Sequence, residues 1–236
     1  MEFIRLFLKE LIEENNNVQE RSPYYEIDNE NKTKYEISQE YNKFFKSREH
    51  AFIHELFYFQ TITTYSCICG YNSYACENLL EIPLLLTEKG EKFTLSELLT
   101  KFFEKYDISW NGKCWSCKKK KRRHSKLIRL YNVNEYLIIT LQRFDAETSK
   151  INNCLVTFES SLNLKNYLDL ELYNGKSCFV LKGTINHVGN LNFGHYYCFI
   201  KIENEWYKFN DCNLEKISEL EYSNDSAYVL RYQKVD

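Results

Sequence analysis

The chain has 236 residues, 44% of them hydrophobic, and its 31 Lys and Arg against 33 Asp and Glu leave a net charge of −2. With only 7 Gly and 2 Pro, collagen-like and Pro/Gly-rich disordered sequence are excluded. A globally basic nucleic-acid binder is disfavoured, which leaves room only for a local basic patch. The longest strongly apolar run, Tyr136 to Leu141, is far shorter than the roughly 20 residues of a membrane-spanning helix. No cleavable apolar segment with a basic flank opens the chain, so it reads as lacking a secretion signal. Nine cysteines in that context point to a reducing compartment, where thiols bind metal or do chemistry more often than they pair.

Met1 to Asn15 reads as a helix, with Phe3, Leu6, Phe7 and Leu11 at helical spacing and no capping residue before it. A helix already under way at residue 1 suggests that the sequence starts inside a domain. Residues 15 to 35 are polar and rich in Asn and Glu, as expected of a solvated loop or insertion. Residues 36 to 58 read as helix again, with Tyr41, Phe44, Phe45, Phe52 and Ile53 as apolar contacts. From Phe59 onward, short runs rich in Thr, Tyr, Ile and Val alternate with turns, as strands do. Thr94 to Tyr106 is the exception: Thr94 and Glu97 form a capping box before Leu98, Leu99, Phe102 and Phe103. Beyond residue 127, strands are expected at 127–133, 136–143, 178–186, 195–202, 206–210 and 227–233. No repeat and no interdomain linker is apparent.

Cys67-Ile68-Cys69-Gly70 and Cys114-Trp115-Ser116-Cys117 form two close pairs, the pattern of a structural four-thiolate zinc site. Zinc takes four tetrahedral ligands, and two tight turns can each present two thiolates. The bland reading is four unligated thiols. Cys76 is a substitute ligand by proximity, although its strand position favours packing. Cys154, Cys178, Cys198 and Cys212 are scattered through strand patterns and read as packed thiols.

Gly194 to Asp211 (GHYYCFIKIENEWYKFND) reads as a β-hairpin turning near Glu203 to Glu205. Folding it back sets His195 beside Asn210 and Asp211. A histidine held by Asn or Asp is the base-and-orienter half of a catalytic triad: the held nitrogen fixes the tautomer and the other takes a proton. Most hairpins with a single His, however, are structural.

Taken in order, these motifs resemble the ubiquitin-specific proteases, papain-like cysteine deubiquitinases. Glu2-Phe3 resembles the end of that family's Q-Q-D-x-x-E-F helix, and Leu56-Phe57, the two Cys pairs and Glu81-Ile82-Pro83-Leu84 resemble its fingers region. Tyr136 to Phe144 resembles its central strand, and Val156 to Leu164 the strand after it. His187, Gly194-His195-Tyr196 and Trp206 to Asp211 resemble its histidine box, and Ser226 to Leu230 its last strand. The resemblance implies an α+β, papain-like right hand of thumb, palm and zinc-ribbon fingers, most of the thumb missing. Residues 1–58 would be the remaining thumb helices, 59–135 the fingers and 136–236 the palm of one catalytic domain.

By the same resemblance His195 is the general base, Asn210 orients it and Asp211 assists. Tyr196 and the loop from His187 to Phe193 line the channel for the ubiquitin tail, and Glu2 helps hold an arginine of that tail. Cys67, Cys69, Cys114 and Cys117 hold structural zinc, with no organic cofactor. The implied activity is thiol-dependent cleavage of ubiquitin from conjugates, in the cytoplasm or nucleus. The expected partners are ubiquitin and ubiquitinated proteins, not nucleic acid or membrane. The family's N-x-G-N-T-C nucleophile box has no counterpart in the 236 residues, so the catalytic cysteine is expected upstream. The alternative is a non-catalytic ubiquitin-binding pseudoenzyme. Phe193 stands where the family has a small residue and Phe59 where it has glycine. The basic run Lys118 to Arg123 reads as a solvated turn, a nuclear localisation signal or a contact for an acidic partner.

Overall fold

The computed structural model describes residues 2–86, 92–120, 123–145, 150–190 and 193–235. Four helices lie in the first half: α1 (Glu2–Glu14), α2 (Lys34–Lys46), α3 (Phe52–Phe57) and α4 (Leu95–Phe103). Thr33 caps α2 and Thr94 caps α4, each in a reciprocal box with the glutamate three residues on. The stretch 36–58, expected as one helix, is two. Ser47 ends α2 by donating its hydroxyl to Phe44 O at 2.7 Å, and the His54 ring starts α3 by accepting from Ala51 N–H at 3.0 Å. Side chains that satisfy the backbone locally give it an alternative to continuing the helix.

Among the described residues the strands fall into four sheets. β1 (Phe59–Cys67) and β2 (Asn72–Leu79) come first, followed by β3 (Ile82–Leu85), β4 (Lys92–Thr94), β5 (Tyr106–Ser109) and β6 (Arg123–Asn132). Next are β7 (Tyr136–Gln142), β8 (Phe144–Asp145), β9 (Lys150–Ile151), β10 (Leu155–Thr157) and β11 (Ser161–Asn163). The C-terminal third holds β12 (Cys178–Gly189), β13 (Gly194–Ile202), β14 (Glu205–Asn210), β15 (Asn213–Ile217), β16 (Ser223–Asn224) and β17 (Ala227–Lys234). One antiparallel sheet runs β2-β1-β6-β5. The largest runs β15-β14-β13-β12-β17-β7-β3, with β11 also paired to β12 and only β3 parallel to its neighbour. Pro83 is tolerated in β3 because that strand is an edge. A small sheet, β16-β10-β4, and the β8–β9 pair complete the set. The single strand expected over 156–164 is thus two short ones, and β3 leaves the 59–135 segment to join the large sheet.

Both faces of β7 are buried, which is why it reads as a continuous apolar run rather than an alternating one. Ile139 faces the main core with Leu95, Leu99, Val156, Phe179, Leu230 and Tyr232. Ile138 faces a second cluster, where Leu8 and Ile12 of α1 and Ala51 and Ile53 at α3 cover the other side of the sheet. The packed stripe of α1 is therefore Ile4, Leu8, Leu11 and Ile12, so of the Phe3, Leu6, Phe7 and Leu11 expected from the sequence only Leu11 packs against the sheet. Phe3 and Phe7 stack on each other at 6.0 Å on the outer side and, like Leu6, are exposed. The helix carries two apolar stripes, and periodicity alone does not say which one meets the sheet. Arg5 of α1 pairs with the buried Glu81 just before β3.

Where β1 leaves the main core, its register against β6 shifts between Gln60 and Thr61. Carboxamides fill this bulge: Gln60 donates to Asn42 at 2.6 Å and Asn78 at 2.8 Å, and accepts from Asn132 at 3.3 Å. Among the described residues no helix is long and apolar enough to cross a membrane.

Arg143, only 1% exposed, ends the run after β7. Its guanidinium donates to Ala227 O at 2.7 Å, Asn152 O at 3.0 Å and Cys154 O at 2.8 Å, tying the end of β7 to the starts of β10 and β17. Burial pushes its pKa down, and the Cys154 thiol beside it opposes this. Arg143→Ala should lower the unfolding free energy by about 3–5 kcal/mol, because three buried carbonyls lose their donor. Urea denaturation checks this, and a loss under 1 kcal/mol would mean water replaces the side chain.

Candidate functional site

β13 and β14 pair antiparallel from Ile202↔Glu205 to Cys198↔Phe209, around the two-residue turn Glu203-Asn204. Glu203 takes a left-handed φ of 56° there. The register is held because Phe199 and Trp206 face the main core. Continuing the ladder sets Asn210 diagonally across from His195. The His195 ring then lies with Nε2 at 2.5 Å from Asn210 Oδ1. A carboxamide oxygen can only accept, so Nε2 carries the proton and Nδ1 is left as the basic nitrogen. Asp211, with φ 50°, opens the next two-residue turn and brings Oδ2 to 3.9 Å from Nε2. At that distance it is not a hydrogen-bond partner of the ring. The sequence-expected trio therefore meets, with Asn210 as direct partner and Asp211 behind it.

Tyr196 and His187 sit directly across β12–β13 from each other, with ring centroids 4.5 Å apart. Tyr228 closes on His187 from β17 at 5.3 Å, a partner the sequence reading did not single out. Strand alternation did not signal it, because the β12–β17 register shifts there and leaves Ala227 in the main core but Tyr228 and Val229 with the second cluster. Burial lowers the pKa of His187, favouring a neutral ring. A Cβ on Gly194 would lie 1.9 Å from His187 Nε2, so glycine is what lets that ring lie over the hairpin entrance. Phe193 is 82% exposed and points away from packed structure. Leu191 and Asn192 of the same loop, and the side chain of Glu2, lie outside the described residues.

The four paired cysteines converge: Cys67, Cys69, Cys114 and Cys117 place their sulfurs within 4.8 Å of one another. Two turns achieve this. Cys67 O accepts from Gly70 N–H at 2.8 Å, and Cys114 O accepts from Lys118 N–H at 2.9 Å. Gly70 (φ 91°) and Lys118 (φ 56°) follow the second cysteine of each turn in the left-handed region. The Tyr71 N–H and the Cys67 thiol pull Cys69 down to about 6. The Cys69 N–H pulls Cys67 down too, but burial and the neighbouring sulfurs outweigh it and push Cys67 up to about 11. Four sulfurs this close cannot all ionise unless a cation lies between them. Tetrahedral zinc, with bonds of about 2.3 Å, sets sulfurs roughly 3.8 Å apart, and the Cys69–Cys114 pair stands at 3.6 Å. The donor set and spacing thus fit that ion. Cys76 is outside the cluster, packed in β2, with burial pushing its thiol up to about 11.

All nine cysteines are free thiols, and among the described residues none contacts His195. Cys198 is on the opposite face of β13, Cys154 is buried against Arg143, and Cys212 sits exposed in the β14–β15 turn.

A histidine bonded to an amide through one nitrogen and bare at the other has the geometry a general base needs. Here it sits on the largest sheet, and the four cysteines lie at the end of a separate one. The family profile described as ubiquitin carboxyl-terminal hydrolase matches residues 1–232, and the chain belongs to that family. Ubiquitin carboxyl-terminal hydrolase 8 of Saccharomyces cerevisiae is 32% identical over 155 residues, covering 60% of this chain and 33% of its own length. Human ubiquitin carboxyl-terminal hydrolase 21 is 26% identical over 198 residues, covering 81% of this chain and 35% of its own. Among solved structures, the SAGA DUB module Ubp8/Sgf11/Sus1/Sgf73 bound to monoubiquitin superposes with a TM-score of 0.69 at 26% identity. That match covers 79% of this chain and 42% of the other. The chain spans about a third of the length of the curated relatives it matches.

The dyad makes a prediction independent of turnover. Nitrogen NMR of the folded chain above pH 8 should show His195 as the Nε2–H tautomer. Asn210→Ala should convert it to a mixture, whereas an unchanged tautomer would mean the Asn210 bond does not hold the ring.

Proposed function

We propose that these residues serve thiol-dependent hydrolysis of ubiquitin conjugates in the whole protein. The observation that carries this is the His195–Asn210 pair at 2.5 Å, with Nδ1 left free on an exposed rim. Family membership supports the substrate class, and a neighbouring module that holds ubiquitin supports ubiquitin as partner. Among the described residues no thiol is in contact with the base, and the reading requires one to be supplied to it.

In this reading His195 Nδ1 takes the proton of that thiol, and the thiolate attacks the carbonyl of ubiquitin's terminal glycine. Asn210 keeps the ring in the tautomer that leaves Nδ1 basic, and Asp211 stands behind it, its Oδ2 3.9 Å from Nε2. The imidazolium then protonates the departing lysine amine. With the ring neutral again, it removes a proton from water, which hydrolyses the thioester and releases ubiquitin. Tyr196 and His187 flank the approach to the ring as walls of the tail channel, and Glu2 offers a carboxylate to a basic residue of the tail. Cys67, Cys69, Cys114 and Cys117 hold a structural zinc that fixes the tip of the β1–β6 sheet, and four protein ligands leave it no open position for water. Free thiols and a thiolate metal site suit a reducing compartment, cytoplasm or nucleus.

Two measurements test this. With ubiquitin carrying a fluorogenic C-terminal amide, the whole protein should be active. His195→Ala should lower kcat by at least about 10⁴-fold and Asn210→Ala by about 10²–10³-fold. Undiminished cleavage by His195→Ala would remove the base from the mechanism. Elemental analysis of the purified chain should find one zinc per molecule, released as pH falls from 7 to 5 because the departing thiolates take up protons. A chain that stays folded with no zinc after Cys114→Ser and Cys117→Ser would show that the cluster needs no metal.

A further inference from the structure

The turn that carries the second cysteine pair holds more charge than its structural task requires. Lys113 and Lys120 lie directly opposite each other in an antiparallel bridge, and Lys119 accepts a backbone bond beside them. Like charges across a ladder destabilise it. All three are exposed and, among the described residues, none has a recorded carboxylate partner. Arg123, by contrast, is held by Asp107, its Nε at 2.9 Å. The next lysine, Lys118, occupies a left-handed position at φ 56°, where the matching place in the first turn is Gly70 at φ 91°. A lysine there carries backbone strain that glycine would avoid.

The same turn exposes apolar surface. Trp115 is 55% exposed between two of the cluster cysteines, and Lys118 Nζ stands 5.4 Å over its ring. Ile68, at the corresponding place in the first turn, is 67% exposed. Both turns meet at the sulfur cluster, so an indole face, an aliphatic side chain and four ammonium groups share one tip. Screening confines charge effects to about 10 Å at ordinary salt, so the tip acts by its own sign, whatever the chain's net charge of −2.

We propose that this tip, Lys113, Trp115, Lys118, Lys119 and Lys120 with Ile68, is a binding surface for single-stranded nucleic acid. The lysines neutralise phosphates along the strand, and an unpaired base stacks on the indole, the combination by which single strands are held without sequence preference. A duplex keeps its bases inside and offers the indole nothing to stack on. An acidic polypeptide would use the lysines and leave the indole idle. The surface is separate from the His195 hairpin, and its test does not depend on hydrolysis.

The test is a titration of the zinc-loaded chain at 50 mM salt with a 20-nucleotide dT strand, a 20-nucleotide rU strand, a 20-base-pair duplex and a polyglutamate of equal charge. Binding is followed by strand anisotropy and by quenching of tryptophan emission. Both single strands should bind and quench, at least tenfold more tightly than the duplex or the polyglutamate. The logarithm of affinity should fall with the logarithm of salt at a slope of about −3, as expected for four lysines on a single strand. Lys119→Glu with Lys120→Glu should weaken binding more than tenfold and roughly halve the slope. Trp115→Ala should cost about tenfold with the slope unchanged, and Trp115→Phe should recover most of it. Zinc content and circular dichroism report whether each variant is folded. Equal binding of polyglutamate with no effect of Trp115→Ala would overturn the proposal in favour of an acidic protein partner. Equal binding of duplex, or no binding of either strand, would overturn it outright.

Discussion

Everything at the candidate site depends on the register of one hairpin. His195 and Asn210 meet because β13 and β14 pair as Ile202↔Glu205, and the pairing cannot slip without moving Phe199 and Trp206 out of the core. In a strand the side-chain period is 2, so a slip of one residue would turn every inward residue to solvent. The burial of one indole thus fixes the partner of an imidazole at the other end of the ladder. The neighbouring strands extend the same logic. β12 sets His187 opposite Tyr196, and β17 brings Tyr228 onto it. Gly194 and Gly189, paired across β12 and β13, are positions where the packing tolerates no side chain.

The two metal-type turns and the hairpin solve different problems with the same device. Left-handed residues appear where a chain must reverse within two or three positions: Gly70, Lys118, Glu203 and Asp211. At the sulfur cluster the reversals bring four thiols together. At the site the reversal after Asn210 carries Asp211 to the rim. Only Gly70 is the residue type that adopts this conformation freely. The other three carry a side chain there despite the backbone cost, and each is charged and exposed.

Much of this was legible in the sequence. The C-terminal strands, the capping box at Thr94 and the meeting of His195 with Asn210 follow from alternation, cap chemistry and hairpin folding, all of which are local. The convergence of the four cysteines was legible from spacing because each pair is presented by its own turn. What was not legible depends on tertiary choice. α1 has two apolar stripes, and only the sheet decides that Leu8 and Ile12 are buried while Phe3 and Phe7 are not. The interruption between α2 and α3 rests on side chains, among them His54 and Ser47, that read as ordinary helix residues. Arg143 gave no sign of burial, since a guanidinium in a core is intelligible only once the carbonyls of Ala227, Asn152 and Cys154 have converged on it.

The bulge at Gln60 has a mechanical side. From Thr61 to Cys67 the strand runs six steps of about 3.4 Å, so the sulfur cluster sits roughly 20 Å from the bulge, at the far end of a stiff antiparallel arm. A tilt of about ten degrees at the pivot would carry the tip through roughly 3.5 Å, about the length of one strand step. The carboxamides of Asn42, Gln60, Asn78 and Asn132 are the latch on that pivot. Those four amides carry no titratable proton, so the angle at which the arm leaves the core is held by hydrogen bonds that a change of pH leaves in place.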